Sequence, residues 1–244
     1  MQDICIFRRV EKKYLLTQQQ RRELLDRIGD HLKADAHGRS TVCSLYLDTP
    51  DWLLIRNSID ATTYKEKLRL RSYGTPTTES RVFLELKKKY RGVVYKRRVA
   101  ITERQAEAYL QSGIKPFDSQ IFRELDYAMR FYHNPKPAVV LCYEREAYTV
   151  PDAPNLRLTF DTDVRYRRTD LSLTAGAAGK EILDRDTVIL EIKTDGAMPL
   201  WLSRALDECG IRPASFSKYG TAYRDLCRCE VNPNRQPKED KRYA

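Results

Sequence analysis

The stretch Lys65-Glu66-Lys67-Leu68-Arg69-Leu70-Arg71 constrains the fold more than any other. Side chains alternate faces along a β-strand. Lys65, Lys67, Arg69 and Arg71 therefore share one face, and Leu68 and Leu70 take the other. Neighbouring cations on that face stand about 7 Å apart and repel one another. Such a face needs a polyanion, a set of carboxylates or bulk water. A solvated strand face is the plain reading of one basic strand, but other strands repeat the pattern.

Charge is concentrated rather than spread. Residues 65–98 hold twelve Lys/Arg and three Glu, which accounts for nearly all of the net charge of +10. A basic excess of this kind calls for an acidic partner: nucleic acid, membrane surface or phosphate compound. Its place in a strand-rich segment favours a built site over a sticky tail. The chain has 244 residues and 41% hydrophobic content, enough for a real core. No internal repeat or linker shows, so 1–230 reads as one domain and 231–244 as a polar tail. Six cysteines are scattered without a Cys-x-x-Cys pair. With no signal peptide, they read as free thiols in a reducing cytosol. No run of about 18 apolar residues is present to span a membrane.

The strands are expected at 4–13, 42–48, 65–71, 81–89, 93–101, 138–149, 156–166 and 188–193. Thr17 with Gln20, and Thr102 with Gln105, form capping boxes that start helices. Further helices are expected over 51–58, around Ile121–Met129, over 199–209 and from Ser217 onward. On the strands, one face carries Leu, Val, Ile and Phe, and the other carries Lys and Arg with a few Glu and Asp. Leu141, Tyr143 and Arg145 share a face; so do Arg157, Thr159, Asp161 and Asp163. Two α+β architectures fit: an open antiparallel sheet with a broad basic surface, or a closed β-barrel tunnel with a charged lumen flanked by helices. Closure would remove exposed edges and gather cations from opposite walls around one ligand.

The pieces Glu11-Lys12-Lys13-Tyr14, Leu45-Tyr46-Leu47-Asp48-Thr49, Tyr64 through Gly74, Glu85-Leu86-Lys87, Tyr143 through Tyr148, Arg157 through Thr162, Leu190 through Lys193 and Phe216-Ser217-Lys218-Tyr219 occur in order along nearly the whole chain. Together they resemble the VTC domain of polyphosphate polymerases, within the triphosphate tunnel metalloenzymes that also include the CYTH-type triphosphatases. The resemblance implies an antiparallel β-tunnel and a metal-dependent transferase that moves the ATP γ-phosphoryl group onto a growing polyphosphate chain. The family's phosphate-binding positions carry over to Lys13, Arg69, Arg71, Lys87, Lys96, Arg145, Arg157 and Lys218. Its metal-binding glutamate carries over to Glu191, holding Mn²⁺ or Mg²⁺. Lys67 and Arg98 join these on face and spacing alone. Ser217 and Lys218 stand where a helix begins, and free backbone N–H groups there favour phosphate. The rival reading of Ser217 is a plain helix cap, and that of Glu191 an ion pair with Lys193 or a neighbouring Arg.

The chain departs from the CYTH pattern Glu-x-Glu-x-Lys, carrying Arg9-Val10-Glu11-Lys12-Lys13. Arg at the first Glu position argues against a two-metal triphosphatase. The membrane helices of eukaryotic members have no counterpart, which implies a cytoplasmic enzyme that passes its polymer to a separate membrane protein. Three rivals stand beside the polymerase: a tri- or polyphosphatase of the same fold, a non-catalytic polyphosphate-binding subunit, and a nucleic-acid binder. Interspersed acids and the lack of a nucleic-acid motif count against the last. Gly176-Ala177-Ala178-Gly179-Lys180 lacks the spacing of a phosphate loop. His31, His37 and His133 read as surface residues.

Overall fold

The computed structural model describes residues 10–61, 63–91 and 93–231. Nine strands form one antiparallel sheet: β1 (Val10–Thr17), β2 (Lys33–Asp48), β3 (Tyr64–Tyr73), β4 (Arg81–Tyr90), β5 (Val93–Thr102), β6 (Lys136–Val150), β7 (Ala153–Arg167), β8 (Lys180–Glu181) and β9 (Thr187–Thr194). Their order is β1-β9-β7-β6-β2-β3-β4-β5, with β8 beside β7. Six α-helices complete the α+β fold: α1 (Gln18–Ile28), α2 (Leu53–Asp60), α3 (Glu103–Ser112), α4 (Gln120–Phe131), α5 (Leu200–Glu208) and α6 (Lys218–Val231). Both expected capping boxes form, at the starts of α1 and α3. Each satisfies reciprocally two amides that a helix start would leave orphaned.

The alternating sequence produces two surfaces. Leu68, Leu70, Leu84, Leu86, Val99 and Ile101 face outward and are buried under α3 and α4 with Phe122 and Leu125. On the far half of the sheet, Tyr14, Leu16, Leu158, Phe160 and Leu190 bury against Leu24, Ile28, Leu202 and Leu206 of α1 and α5. Each large aliphatic side chain taken fully from water contributes about 1.5–3 kcal/mol, so the outer helices hold the curl in place. The charged residues are left on the concave face. There, α6 fills the middle of the curl: Tyr219, Ala222 and Leu226 pack on Tyr46, Leu141, Tyr143, Tyr166 and Ile189. Asp48 anchors this plug. Its carboxylate accepts hydrogen bonds from the backbone N–H of Thr49, Leu54 and Ile55 and from Tyr219 Oη, all at 2.8–3.0 Å.

The sheet curls without closing. Among the described residues β1 and β5 remain its two edges, and backbone pairing between them is absent. The gap is spanned by side chains instead, with Lys87 Nζ on β4 3.4 Å from Glu11 Oε2 on β1. The segment before α6 shields the β1 edge, where Ala214 N–H donates to Lys13 O at 2.8 Å. The short strand β8 was not expected, and two others differ from expectation. β2 begins at Lys33 because Gly38, at φ 51°, lets the chain continue through an irregularity between Ala34 and Arg39. Asp163, at φ 53°, lies in a bulge opposite Cys142–Glu144. The extra residue flips the alternation, so Val164 and Tyr166 take the concave face that Asp163 was expected to share. Residues 4–9 of the first expected strand, and the 232–244 part of the tail, lie outside the described residues.

Candidate functional site

The concave face encloses a cavity of about 400 Å³. Eleven Lys/Arg and two Glu line it, drawn from β1, β3, β4, β6, β9 and α6. A hollow of about 350 Å³ on the outer face, at Lys88, Gln120, Arg123, Glu124 and Tyr127, has no comparable ring. Its Lys88 and Arg123 are paired with Glu66 and Asp118.

Buried carboxylates organise part of the basic face. Glu85, 1% exposed, meets Lys96 Nζ and Arg98 Nε at 2.7 Å each, and Arg69 Nε at 2.8 Å. Burial pushes the Glu85 carboxyl up, but Arg69, Arg71 and Lys96 outweigh it and hold the group far below the usual carboxylate range. Asp161, fully buried, accepts a bidentate pair from Arg145 at 2.6 and 2.7 Å. It also pairs with Lys218 at the start of α6. Burial opposes the Asp161 charge, and Lys218 and Arg145 more than offset that. Bidentate geometry fixes a guanidinium plane, so Asp161 sets the direction in which Arg145 faces the cavity.

Other cations have neutral neighbours. Arg71 is 8% exposed. Its Nε donates to Ser44 Oγ at 3.3 Å and its Nη2 to Tyr143 Oη at 3.4 Å. Among the described residues it makes no ion pair. Lys67 Nζ donates to Ser217 Oγ at 3.2 Å. Burial, then the charges of Lys13, Lys87 and Arg69, bring the Lys67 ammonium down to about 8 despite the opposing pull of Tyr46. Tyr46 Oη accepts from Arg69 Nη1 at 3.2 Å. Burial raises the Tyr46 phenol, yet Arg69, Lys67 and Arg71 bring it down to about 8. Buried charge without a counter-ion is costly. The site is poised for an anion the chain does not itself supply.

Two carboxylates face the cavity. Glu191 lies 3.1 Å from Lys193 Nζ and 3.5 Å from Arg145 Nη2, and Glu11 lies 3.4 Å from both Lys13 Nζ and Lys87 Nζ. Burial would raise Glu191; Lys193, Glu11, Lys13 and Arg145 hold it well below the carboxylate range. Among the described residues, no cluster of three or more His, Cys, Asp or Glu forms a metal cage. Glu191, with the Glu11 side chain on the same cavity wall, suits Mg²⁺ or Mn²⁺, which take one or two carboxylates and complete their shell with phosphate oxygens and water.

Nine of the twelve residues expected from the sequence line this cavity: Lys13, Lys67, Arg69, Arg71, Lys87, Arg145, Glu191, Ser217 and Lys218. Ser217 is also a cap, its Oγ accepting from Gly220 N–H at 3.1 Å. Three residues stand apart. Lys96 and Arg98 turn to Glu85, with Arg98 lying 3.7 Å over the Phe83 ring. Arg157, near the start of β7, pairs with Asp35 at 2.6 Å. The sequence reading passed over Glu85 and Asp161 as organisers, and over Tyr46, Lys65, Lys89, Lys193 and Arg224 on the wall. Face parity places Glu85 beside Lys87 and Lys65 beside Lys67; that was the available signal. His31 and His133 are exposed, and His31 stacks on Trp201 at 4.2 Å. The His37 side chain lies outside the described set.

Comparison with known proteins bears on the fold. HpAC1 of Hippeastrum, put forward as an adenylyl cyclase and described as having a dominant triphosphatase activity, shares the fold. Identity is 16% and the TM-score 0.52, over 89% of this chain and 96% of that one. A Bacillus halodurans protein put forward as an adenylate cyclase aligns at 14% identity and a TM-score of 0.47, over 95% and 94% of the two chains. No curated protein matches the sequence. The family described as the VTC domain matches residues 8–227, nearly the whole described sheet with its helices. The chain belongs to the VTC domain family.

Proposed function

We propose that this protein is a polyphosphate polymerase that transfers the γ-phosphoryl group of ATP to a polyphosphate chain held in the concave cavity. The observation that carries the reading is the pair of cations without carboxylate partners, buried Arg71 and half-buried Lys67, in a wall of eleven Lys/Arg and two Glu. Phosphoryl transfer needs positioning and charge stabilisation more than a protein nucleophile. The terminal phosphate of the acceptor is itself an anionic nucleophile. Arg71, Arg69 and Arg145 would grip phosphate oxygens as planar forks, and Lys13, Lys67, Lys87 and Lys218 would act as point charges. Glu191, with Glu11 beside it, would hold Mn²⁺ or Mg²⁺; when bound, the ion neutralises phosphate charge and orients the transferred group.

Phosphorus-31 NMR with ATP and Mn²⁺ tests the reading. Internal-phosphate signal growing with ADP is the expected result. Free phosphate without polymer would make the protein a hydrolase of the same fold, and tight polyphosphate binding without turnover would make it a binding subunit. Among the described residues no helix is long and apolar enough to cross a membrane. In this reading a separate membrane protein takes up the polymer at the inner face of the membrane.

Two further results are expected. Glu191→Gln should shift the Mn²⁺ dependence of turnover by about tenfold or more; an unchanged titration would remove Glu191 from the metal site. Lys67, lowered to about 8, is partly neutral in the free protein at pH 8, and only its charged form attracts phosphate. Binding of tripolyphosphate should therefore take up a proton near pH 8 and weaken as pH rises above it. Calorimetry in buffers of different ionisation enthalpy measures the uptake. Lys67→Met should abolish that part; equal uptake in the variant would assign it elsewhere.

A further inference from the structure

Cys43 of β2 and Cys142 of β6 are direct cross-strand partners. Both are unbonded thiols and buried. Their Sγ atoms lie 2.7 Å apart, inside the ordinary contact of two thiols and outside a bond. Directly opposed residues in antiparallel strands have Cα atoms about 4.5 or 5.5 Å apart, depending on the pair type. Both spacings fall in the window of about 4.4–6.8 Å that a disulfide spans, so a bond here needs no backbone movement.

The surroundings favour reaction at Cys142. Its Sγ lies 3.9 Å from Gly176 O, under the small-residue loop 174–179. Arg167 ties that loop down, donating to Ser172 O, Gly176 O and Ala178 O at 2.6–3.0 Å. The contact with Cys43 lowers the Cys142 thiol, burial opposes this and the Arg167 charge adds to it, with a net lowering; the same thiol contact and burial raise Cys43. The two sulfurs are thus in direct contact with a guanidinium beside one of them, the setting in which thiol oxidation begins. Thr174, Ala175, Ala178 and Gly179 are exposed, so one thin loop separates the pair from solvent.

We infer that Cys43 and Cys142 are a site of reversible oxidative modification, with hydrogen peroxide as oxidant and an inter-strand disulfide as product. The Cys142 thiolate attacks one peroxide oxygen and the O–O bond breaks, leaving a sulfenic acid and hydroxide. The Cys43 sulfur then attacks the Cys142 sulfur; the S–S bond forms, and hydroxide departs with the Cys43 proton as water. The proton first lost by Cys142 makes the second water. Two thiols are oxidised by two electrons and one peroxide is reduced to two waters. The product is restored by a dithiol. It staples the strands that carry Ser44 and Tyr143, the two hydrogen-bond partners of Arg71.

The test is a peptide map of the full chain, treated with hydrogen peroxide and alkylated in denaturant. A Cys43–Cys142 linked peptide, two hydrogens lighter and cleaved by dithiothreitol, is expected. Closing a 99-residue separation should also raise the thermal midpoint of the oxidised chain by about 5–10 °C. Cys142→Ser should lose both effects and leave Cys43 open to alkylation. Full alkylation of both cysteines after peroxide, or linkage of either to another cysteine instead, overturns the inference. The readout does not depend on polymerase activity.

Discussion

Arg71→Ala should lower polyphosphate synthesis by about a thousandfold or more and leave the thermal midpoint unchanged or higher. The size follows from the chemistry, because an arginine stabilising charge in phosphoryl transfer is worth about 10³–10⁵ in rate. A thousandfold corresponds to about 4 kcal/mol at the transition state. The sign on stability follows from the surroundings. Arg71 is 8% exposed and holds two neutral hydroxyls, Ser44 and Tyr143. Removing it takes away a buried charge that has no direct ion pair, which offsets the support it lends the Glu85 carboxylate from a distance. Arg69 differs although it sits two residues away on the same face. It pairs with Glu85 at 2.8 Å, so Arg69→Ala should cost both turnover and stability. ADP release and thermal melts on the two variants separate the cases. Activity of Arg71→Ala within tenfold of the parent would sink the site assignment.

The sequence treats those two arginines alike, and the reason is physical. Alternation reports which face a side chain takes, a local property of the strand. It therefore placed Lys65 to Arg71, Lys87 and Arg145 on the concave side. The capping boxes at Thr17 and Thr102 were legible for the same reason, each closing within four residues. What a cation touches depends instead on register between strands. Glu85 lies opposite Arg69 on one side and Arg98 on the other, and that turns Arg98 inward to an ion pair. Arg157 has the right parity, but its place near the start of β7 brings it to Asp35. The bulge at Asp163 was hidden because a residue with positive φ leaves no periodic mark. The plug helix had a signal: Tyr46, Leu141 and Tyr143 are apolar or aromatic residues on an otherwise charged face, and they are where α6 packs. Closure of the barrel was not readable, since face alternation is the same in a curl and a ring.

Glu85→Gln should destabilise the fold by about 3–5 kcal/mol, the cost of leaving buried charges without their partner. In a chain of this size that is a fall of about 10 °C in thermal midpoint. Three cations lose one shared carboxylate. Lys96, already lowered to about 8 by burial even with Glu85 present, can shed its proton in the variant. Arg69 and Arg98 cannot, so the loss is carried mainly by the two guanidinium groups. The pH dependence carries a sign. Glu85 is held far below its unfolded value, so its contribution is fully present above about pH 4.3, the ordinary carboxylate value. It fades only as pH falls toward the folded value. The gap between parent and variant should narrow below about pH 4, and any slope near pH 8 belongs to Lys96. A bound polyanion can stand in for the lost charge over Arg69, so tripolyphosphate should raise the midpoint of the variant more than that of the parent. If the variant melts with the parent at pH 7, Glu85 does not anchor this face. The division between cations held by the protein and cations left for a ligand would then have to be redrawn.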